Sequence, residues 1–380
     1  MKIRIGIDAS RCSSGGAIEH FRNVFYNSTS KNPDVEYFCW VAEEGYESSC
    51  KDQFELLRAM PDNPIIIQIF WQFLALPLLL KYYKIDLLFT LDTASACLFK
   101  PQISLHQDLL AFEKYSEALK SLTLQEKIRL WFVKKFSIVN MMRSEKLIFL
   151  THYARKLITQ KYSFQKKSVI IPHSCDKAYL DINQPCQLRN QDAKLTFTYV
   201  SHYSFYKHQR ELITALYQLS MNIIDIELNL IGSGFDDIKV RRSLLDGISF
   251  GNTFKINFMG FCTKKEIIDK YNESSILVFA SSCEAFGMTL LEKMASSVPL
   301  ACSNKSCLPE LLGSNYPYFF DPTSSESIKF TLKTMINDFG LCKEVAINNR
   351  KRAREFRWSE ISSSYHELIY QSAKEFSRSQ

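Results

Sequence analysis

The sequence predicts an α/β chain built as two parallel-sheet domains that face a cleft between them. Three observations predict this. The chain has 380 residues, which at roughly 100–200 residues per domain suggests two domains. Short β-rich apolar runs alternate with helical patterns along its length, as in βαβ architecture. The alternation breaks once, at the polar, proline-containing stretch Asp176–Asn190, and then restarts.

The elements follow in order. Strands are expected at Ile3–Asp8, Tyr37–Ala42, Ile65–Ile69, Leu87–Leu91, Gln102–Leu105, Lys146–Leu150 and Ser168–Pro172. After the junction they are expected at Leu195–Ser201, Ile226–Gly232, Lys255–Met259, Ile276–Ala280, Leu300–Cys302 and Tyr318–Phe320. The resulting domains are 1–175 and 176–360, with a closing helix at 361–380 that packs back on the first. The opening Met1–Asp8 alternates like a strand and does not read as a signal peptide. The longest apolar stretch, Ile69–Leu80, contains Gln72 and Pro77 and looks too short to span a bilayer, so a soluble or peripheral protein is expected.

Composition narrows the classes. Phe (28) and Tyr (18) are too abundant for a disordered chain, and Gly (12) and Pro (11) too scarce for a collagen-like one. The net charge of +7 is too mild to mark a nucleic-acid binder, and no such partner is expected. The charge is uneven: residues 1–175 hold 23 Lys/Arg against 17 Asp/Glu. Either an anionic acceptor or membrane surface lies near that half, or the surface is simply solvated. The 11 cysteines include no C-x-x-C pair, which argues against a disulfide framework and for a reducing cytoplasm. Cys283, Cys302 and Cys307 read as small buried hydrophobes.

Open α/β sheets bind ligands at the carboxyl ends of their strands, so the residues after each strand carry the chemistry. The densest such stretch is Ser281–Glu292. A loop there leads into a helix beginning near Gly287–Leu290. Amides at a helix N-terminus attract phosphate, and Gly287 lets it come close. Glu284 in the loop and Glu292 in the helix can grip opposite ends of an elongated ligand through vicinal hydroxyls, with a diphosphate between them. A structural alternative stands beside this: Thr289-x-x-Glu292 is also a capping box.

Glu284, Phe286, Gly287 and Glu292 resemble the E-x-F-G-x-x-x-x-E signature of the family 4 glycosyltransferases, which have the GT-B fold of two Rossmann-like domains. The likeness continues through Met294-Ala295, Val298-Pro299, Ser303-Asn304, Leu308-Pro309-Glu310 and Phe320-Asp321-Pro322. Earlier segments follow in the family's order: Ile7–Arg11 with Gly15-Gly16, Phe149–Ala154, Ile171–Asp176, Tyr199–Ser201 with Tyr206–Gln209, Leu230–Gly234 and Phe258–Gly260. Trp358 and the closing helix resemble the segment that crosses back to the first domain. The likeness is strongest over about 195–325 and points to bacterial enzymes of surface-polysaccharide assembly, such as O-antigen or lipopolysaccharide.

The resemblance implies a retaining hexosyltransferase using a UDP- or GDP-sugar donor and a glycan or lipid-linked acceptor. It implies that Glu284 contacts the donor sugar, Glu292 the ribose, and the amides around Met288 and Thr289 the diphosphate. Lys207 would neutralise the leaving group, and Gly15, Gly16 and Gly232 would border the donor. His106 would stand by the reacting face. His202 occupies the place where the family commonly has Arg, which leaves less charge there. Ser174 and Ser297 replace usual glycines.

No D-x-D motif follows a strand, and no His/Cys cluster has zinc spacing, so no obligatory metal or other cofactor is expected. The first βα turn lacks G-x-G-x-x-G, which argues against a dinucleotide oxidoreductase. A non-catalytic nucleotide-sugar-binding partner of an assembly complex remains the alternative. Leu130–Phe136 mixes aromatic and basic residues at helical spacing, as an interfacial helix on an anionic membrane would, with Phe70–Leu80 as a second contributor. A core helix with a basic edge reads equally well. The expected location is cytoplasmic, peripheral on the inner face of the cytoplasmic membrane.

Overall fold

In the computed structural model the chain divides into two compact units, Met1–His173 with Arg357–Gln380, and Ser174–Phe356. The structure describes residues 2–12, 15–28, 32–41, 54–59, 65–113, 122–181, 194–221, 225–248 and 253–377. Residues 182–190 of the expected junction, and Ser13 and Ser14, lie outside these.

The first unit carries a seven-stranded sheet in the order β3-β2-β1-β4-β5-β6-β7, every pair parallel. Its strands are β1 Ile3–Ala9, β2 Val35–Val41, β3 Phe54–Arg58, β4 Leu87–Thr90, β5 Gln102–His106, β6 Lys146–Phe149 and β7 Ser168–Ile170. β4 is buried along its whole length, as parallel strands covered on both faces are. Its α-helices before the crossing are α1 Gly15–Phe21, α2 Ile65–Phe70, α3 Leu76–Tyr82, α4 Leu124–Arg143 and α5 His152–Thr159.

Two expectations are corrected here. Ile65–Ile69 is not a strand: it opens α2, which runs on through the wide turn Trp71–Ala75 into α3. The isoleucines favour a strand in isolation. Burial overrides them: Gln72, Leu76 and Leu80 are covered while Leu74 and Leu78 between them are exposed, and a strand would put all five on one face whereas a helix separates them. Leu76 and Leu80 pack with Phe38, Trp40 and Ile85. The continuous run Ile65–Tyr82 is also 18 residues long, enough by length and composition to cross a membrane, and only 17% of it is buried.

The second unit carries a six-stranded parallel sheet in the order β10-β9-β8-β11-β12-β13. These strands are β8 Leu195–Val200, β9 Ile226–Ile231, β10 Phe254–Met259, β11 Ile276–Phe279, β12 Leu300–Ser303 and β13 Phe319–Phe320. The helices between are α6 Lys177–Leu180, α7 Gln209–Ser220, α8 Ile238–Leu245, α9 Lys264–Glu273, α10 Met288–Ala295, α11 Leu308–Leu312, α12 Ser325–Asn337 and α13 Phe339–Ala353. The closing helix α14, Trp358–Ser377, belongs to the first unit. Its Ser362 hydroxyl donates to Val24 O (2.9 Å), and His366 meets Tyr37 Oη (2.5 Å) and Val24 O (2.9 Å).

Each sheet reverses its strand order once, between β1 and β4 and between β8 and β11. At such a switch point the loops leaving the two strands splay apart and open a crevice for ligand. In the second unit those two loops carry Lys207 and Glu284.

Candidate functional site

β8 ends at Val200, and the loop beyond it folds one tight turn, Phe205–Lys207. His208 then takes a left-handed conformation (φ +50°) and starts α7. This turn tucks Lys207 inward, where it is only 7% exposed. Its ammonium is paired with Glu284 Oε1 and lies 5.0 Å from the ring centre of Tyr206 and 5.8 Å from that of Phe279. The carboxylate and the two π faces together compensate a cation taken out of water. His202 is exposed, 3.0 Å from Tyr206 Oη. Desolvation, then the Lys207 charge, holds its pKa below the ordinary value, so it adds no cation near pH 7. Gly232 follows β9 at φ +140°, and a Cβ there would stand 2.2 Å from Ser201 O. Only glycine lets these two loops close.

β11 delivers the second half. Ser282 N–H donates to Tyr206 O (2.8 Å), and the Ser282 hydroxyl meets His208 Nε2 (2.7 Å), which ties the two loops together. Glu284 N–H donates to Ser306 Oγ (3.1 Å), and the same hydroxyl donates back to Glu284 O (2.8 Å). The Cys307 thiol donates to Glu284 O (3.1 Å) and Phe286 O (3.3 Å); burial pushes this thiol up, so it stays protonated and able to donate. Phe286 is buried with its ring 5.8 Å from that of Phe356.

Gly287, at φ +91°, caps α10, and Met288 and Thr289 are its first residues. No side chain caps this helix, so the Thr289–Glu292 capping box does not form. Thr289 sits two positions inside the cap, Gly287, and so cannot serve as the cap. The first-turn amides are therefore left to other acceptors. Glu292 is half-buried one turn further on, and its charge acts on Cys175, Tyr271 and Lys293.

Lys293 is a feature that sequence reasoning missed. It is 0% exposed. Among the described residues its ammonium has only long contacts, to Tyr271 Oη (3.3 Å), Thr289 O (3.4 Å) and Val200 O (3.5 Å), and lies 5.1–6.0 Å from the ring centres of Phe279, Tyr271 and Tyr199. Burial draws its pKa down to about 7, against the upward pull of Glu292. The available signal was a lysine inside an otherwise apolar helix face. Ser306 and Cys307 were also missed. They lie within the stretch of resemblance, between Ser303-Asn304 and Leu308-Pro309.

In the first unit His106 ends β5 with Nδ1 2.8 Å from Thr93 Oγ1. It is 1% exposed, and its ring lies 5.2 Å from that of Phe112 and 5.7 Å from that of Phe149. Nε2 has no hydrogen-bond partner among the described residues. Burial lowers the imidazole pKa to about 3, so it is neutral at physiological pH. Gly15 and Gly16 open α1. The structure thus gathers Lys207, Glu284, Gly287, Met288 and Thr289 around one switch point, with His202, Gly232 and Glu292 on its flanking elements. His106, Gly15 and Gly16 are described within the other unit. Among the described residues no group of three or more His, Cys, Asp or Glu could hold a metal ion.

The stretch 182–352 matches the family model described as glycosyl transferases group 1. It contains Lys207, Glu284 and Glu292. The chain is similar to the O-antigen chain mannosyltransferase B of Escherichia coli, 26% identical over 228 residues that cover 58% of this chain and 56% of that protein. It spans about half the length of the curated relatives it matches. Its fold is shared with WaaG, a glycosyltransferase involved in lipopolysaccharide biosynthesis (TM-score 0.68, 14% identity, 97% of this chain and 99% of that one). It is shared equally with Anabaena HepE solved with UDP-glucose (TM-score 0.68, 15% identity, 98% and 100%). The two parallel-sheet α/β units are those of the GT-B architecture.

Proposed function

We propose that the chain is a family 4 glycosyltransferase of cell-surface polysaccharide synthesis. It moves a hexosyl group from a UDP- or GDP-sugar to a glycan or lipid-linked saccharide, with retention. The observation that carries this reading is the Lys207–Glu284 pair at the switch point, directly before the Gly287 cap of α10. A departing nucleoside diphosphate needs fixed positive charge. Lys207 and the uncapped amides of α10 supply it without a metal. Glu284 accepts from donor-sugar hydroxyls, and Glu292 from the ribose. His106, neutral, offers a hydrogen bond and no charge on the acceptor side. An Escherichia coli O-antigen mannosyltransferase, a lipopolysaccharide glycosyltransferase and a UDP-glucose-binding protein among the similar proteins support the substrate class. None of the described cysteines forms a disulfide, in keeping with a cytoplasmic site of action.

A thermal-shift panel of nucleotide sugars tests the reading, because a bound donor stabilises in proportion to the logarithm of its excess over Kd. One UDP- or GDP-sugar should raise Tm by several degrees and should be turned over with a surface-glycan acceptor. Binding without transfer across acceptors would favour a non-catalytic partner instead. No shift with any nucleotide sugar would remove both.

A further inference from the structure

Helix α4 is built inside out. Among its described residues the buried ones are Ser137, Asn140 and Met141. Two of the three are polar, and they lock into the sheet: Ser104 Oγ donates to Asn140 Oδ1 (2.7 Å), and Asn140 Nδ2 donates to Ser95 O (3.2 Å). The apolar side chains point the other way. Leu124 (74% exposed), Ile128, Trp131 (54%), Phe132, Val139 and Met142 (65%) all face solvent, with Phe136 at the edge of the same stripe. At about 100° per residue they fall within roughly 140° of the helix circumference, so they form one continuous face.

Charge frames this face. The helix carries Lys127, Arg129, Lys134, Lys135 and Arg143 against a single acid, Glu126. By the same helical arithmetic Lys127 and Lys134 border the stripe on one side and Arg129 on the other, Arg143 lies within it with its guanidinium donating to Leu98 O (2.7 Å), and Glu126 lies behind it. Lys135 lies within the stripe, with Nζ 5.5 Å from the ring centre of Trp131. A hollow beside the helix, lined by Leu110, Ala111, Glu113, Lys127, Leu130, Trp131 and Lys134, places two ammonium groups and one carboxylate at a partly apolar recess. The same unit shows a second outward apolar row at a spacing of four: Phe70, Leu74, Leu78 and Tyr82, on the side opposite the buried Gln72, Leu76 and Leu80.

We infer that the outer face of α4 docks on an anionic lipid bilayer surface. The aromatic and aliphatic stripe enters the headgroup boundary, and the bordering cations pair with lipid phosphates. A second copy fits less well, since pairing this face with itself would set five cations against five. The inference rests on the first unit alone and is independent of the donor site.

Flotation of the full chain with vesicles tests it. The vesicles are phosphatidylcholine alone, or equimolar phosphatidylcholine and phosphatidylglycerol. The chain should float with the anionic vesicles at low salt, much less at high salt, and hardly with phosphatidylcholine. Lys127→Glu with Lys135→Glu should weaken binding at least about tenfold, since each basic residue near the surface contributes roughly 1 kcal/mol. Trp131→Ala with Phe132→Ala should weaken it through the apolar term. All four positions are solvent-facing, so Tm and any nucleotide-sugar thermal shift should be unchanged, which keeps this test separate from that of the donor site. No flotation at low salt, binding indifferent to both variants, or a dimer that covers Trp131 while vesicles are ignored would each overturn the proposal.

Discussion

Lys207 and Glu284, 77 residues apart in sequence, form an ion pair at the point where the second sheet reverses its strand order. Both side chains are largely covered, 9% and 16% exposed. The two charges compensate each other where both side chains are largely withdrawn from water.

Removing one partner should therefore cost more than removing both. Lys207→Ala leaves a mostly buried carboxylate without its cation, and should destabilise the fold by about 1–3 kcal/mol, less than the ~3–5 kcal/mol of a fully buried pair because Glu284 keeps some contact with water. Lys207→Ala with Glu284→Gln should recover part of that loss. Urea midpoints of the single and double variants measure the coupling, and strictly additive losses would mean the pair is not energetically joined.

Gly232 and Gly287 should respond differently to alanine. At Gly232 the new Cβ meets a backbone oxygen at 2.2 Å, so Gly232→Ala should cost more than about 3 kcal/mol or prevent folding. At Gly287 the nearest atom is the Leu308 side chain at an ordinary 3.4 Å. Only the left-handed backbone is then penalised, by about 1–2 kcal/mol. Thermal unfolding of the two variants compares them directly.

Acid should loosen the first unit. Burial lowers the pKa of His20, His106 and His173, the last two to about 3. The unfolded chain takes up these protons near the ordinary value of about 6.5, and the folded chain does not. The contribution is fully present above pH 6.5 and is lost as pH falls from there toward 3. Urea midpoints measured across that range should fall with pH, and His20→Phe should make the fall shallower by about one proton.

Lys293 should show the same direction of dependence at higher pH. Its folded pKa lies near 7, below the ordinary 10.5, so its burial penalty is full below about pH 7 and fades as pH rises from there toward 10.5. Lys293→Met should raise Tm at pH 6.5 by about 2–4 °C, corresponding to roughly 1 kcal/mol, and by less at pH 9.5. A drop in Tm at both pH values would show that the ammonium supports its surroundings.

Much of this architecture is legible in the sequence. Parallel strands covered on both faces read as apolar runs, which is why β4, β8 and β11 stand out. The failures have physical causes. Ile65–Ile69 was misread because local β-propensity was weighed before the four-residue burial pattern that continues into α3. β3 was overlooked in a segment whose residues are mostly polar. At the site Glu284 and Gly287 are visible through their local pattern, and Lys207 through family resemblance. Ser306 and Cys307 act by hydrogen bonds to Glu284 O from 22 and 23 residues away, and spacing carries no trace of that. The outward aromatic and basic face of α4 is visible at helical spacing in Leu130–Phe136, whereas its polar inward face depends on Ser104 and Asn140 meeting across 36 residues, which spacing does not carry.

The central claim is that Lys207 and Glu284 hold and activate a nucleotide-sugar donor. Its most direct measurement is the rate of nucleoside diphosphate release from the donor identified by thermal shift, in the unaltered chain, in Lys207→Ala and in Glu284→Ala. We expect acceptor-dependent release that falls about 10²–10³-fold in each variant, the size of losing one preorganised charge contact in a transition state. Release unchanged in both variants that remain folded would contradict the claim.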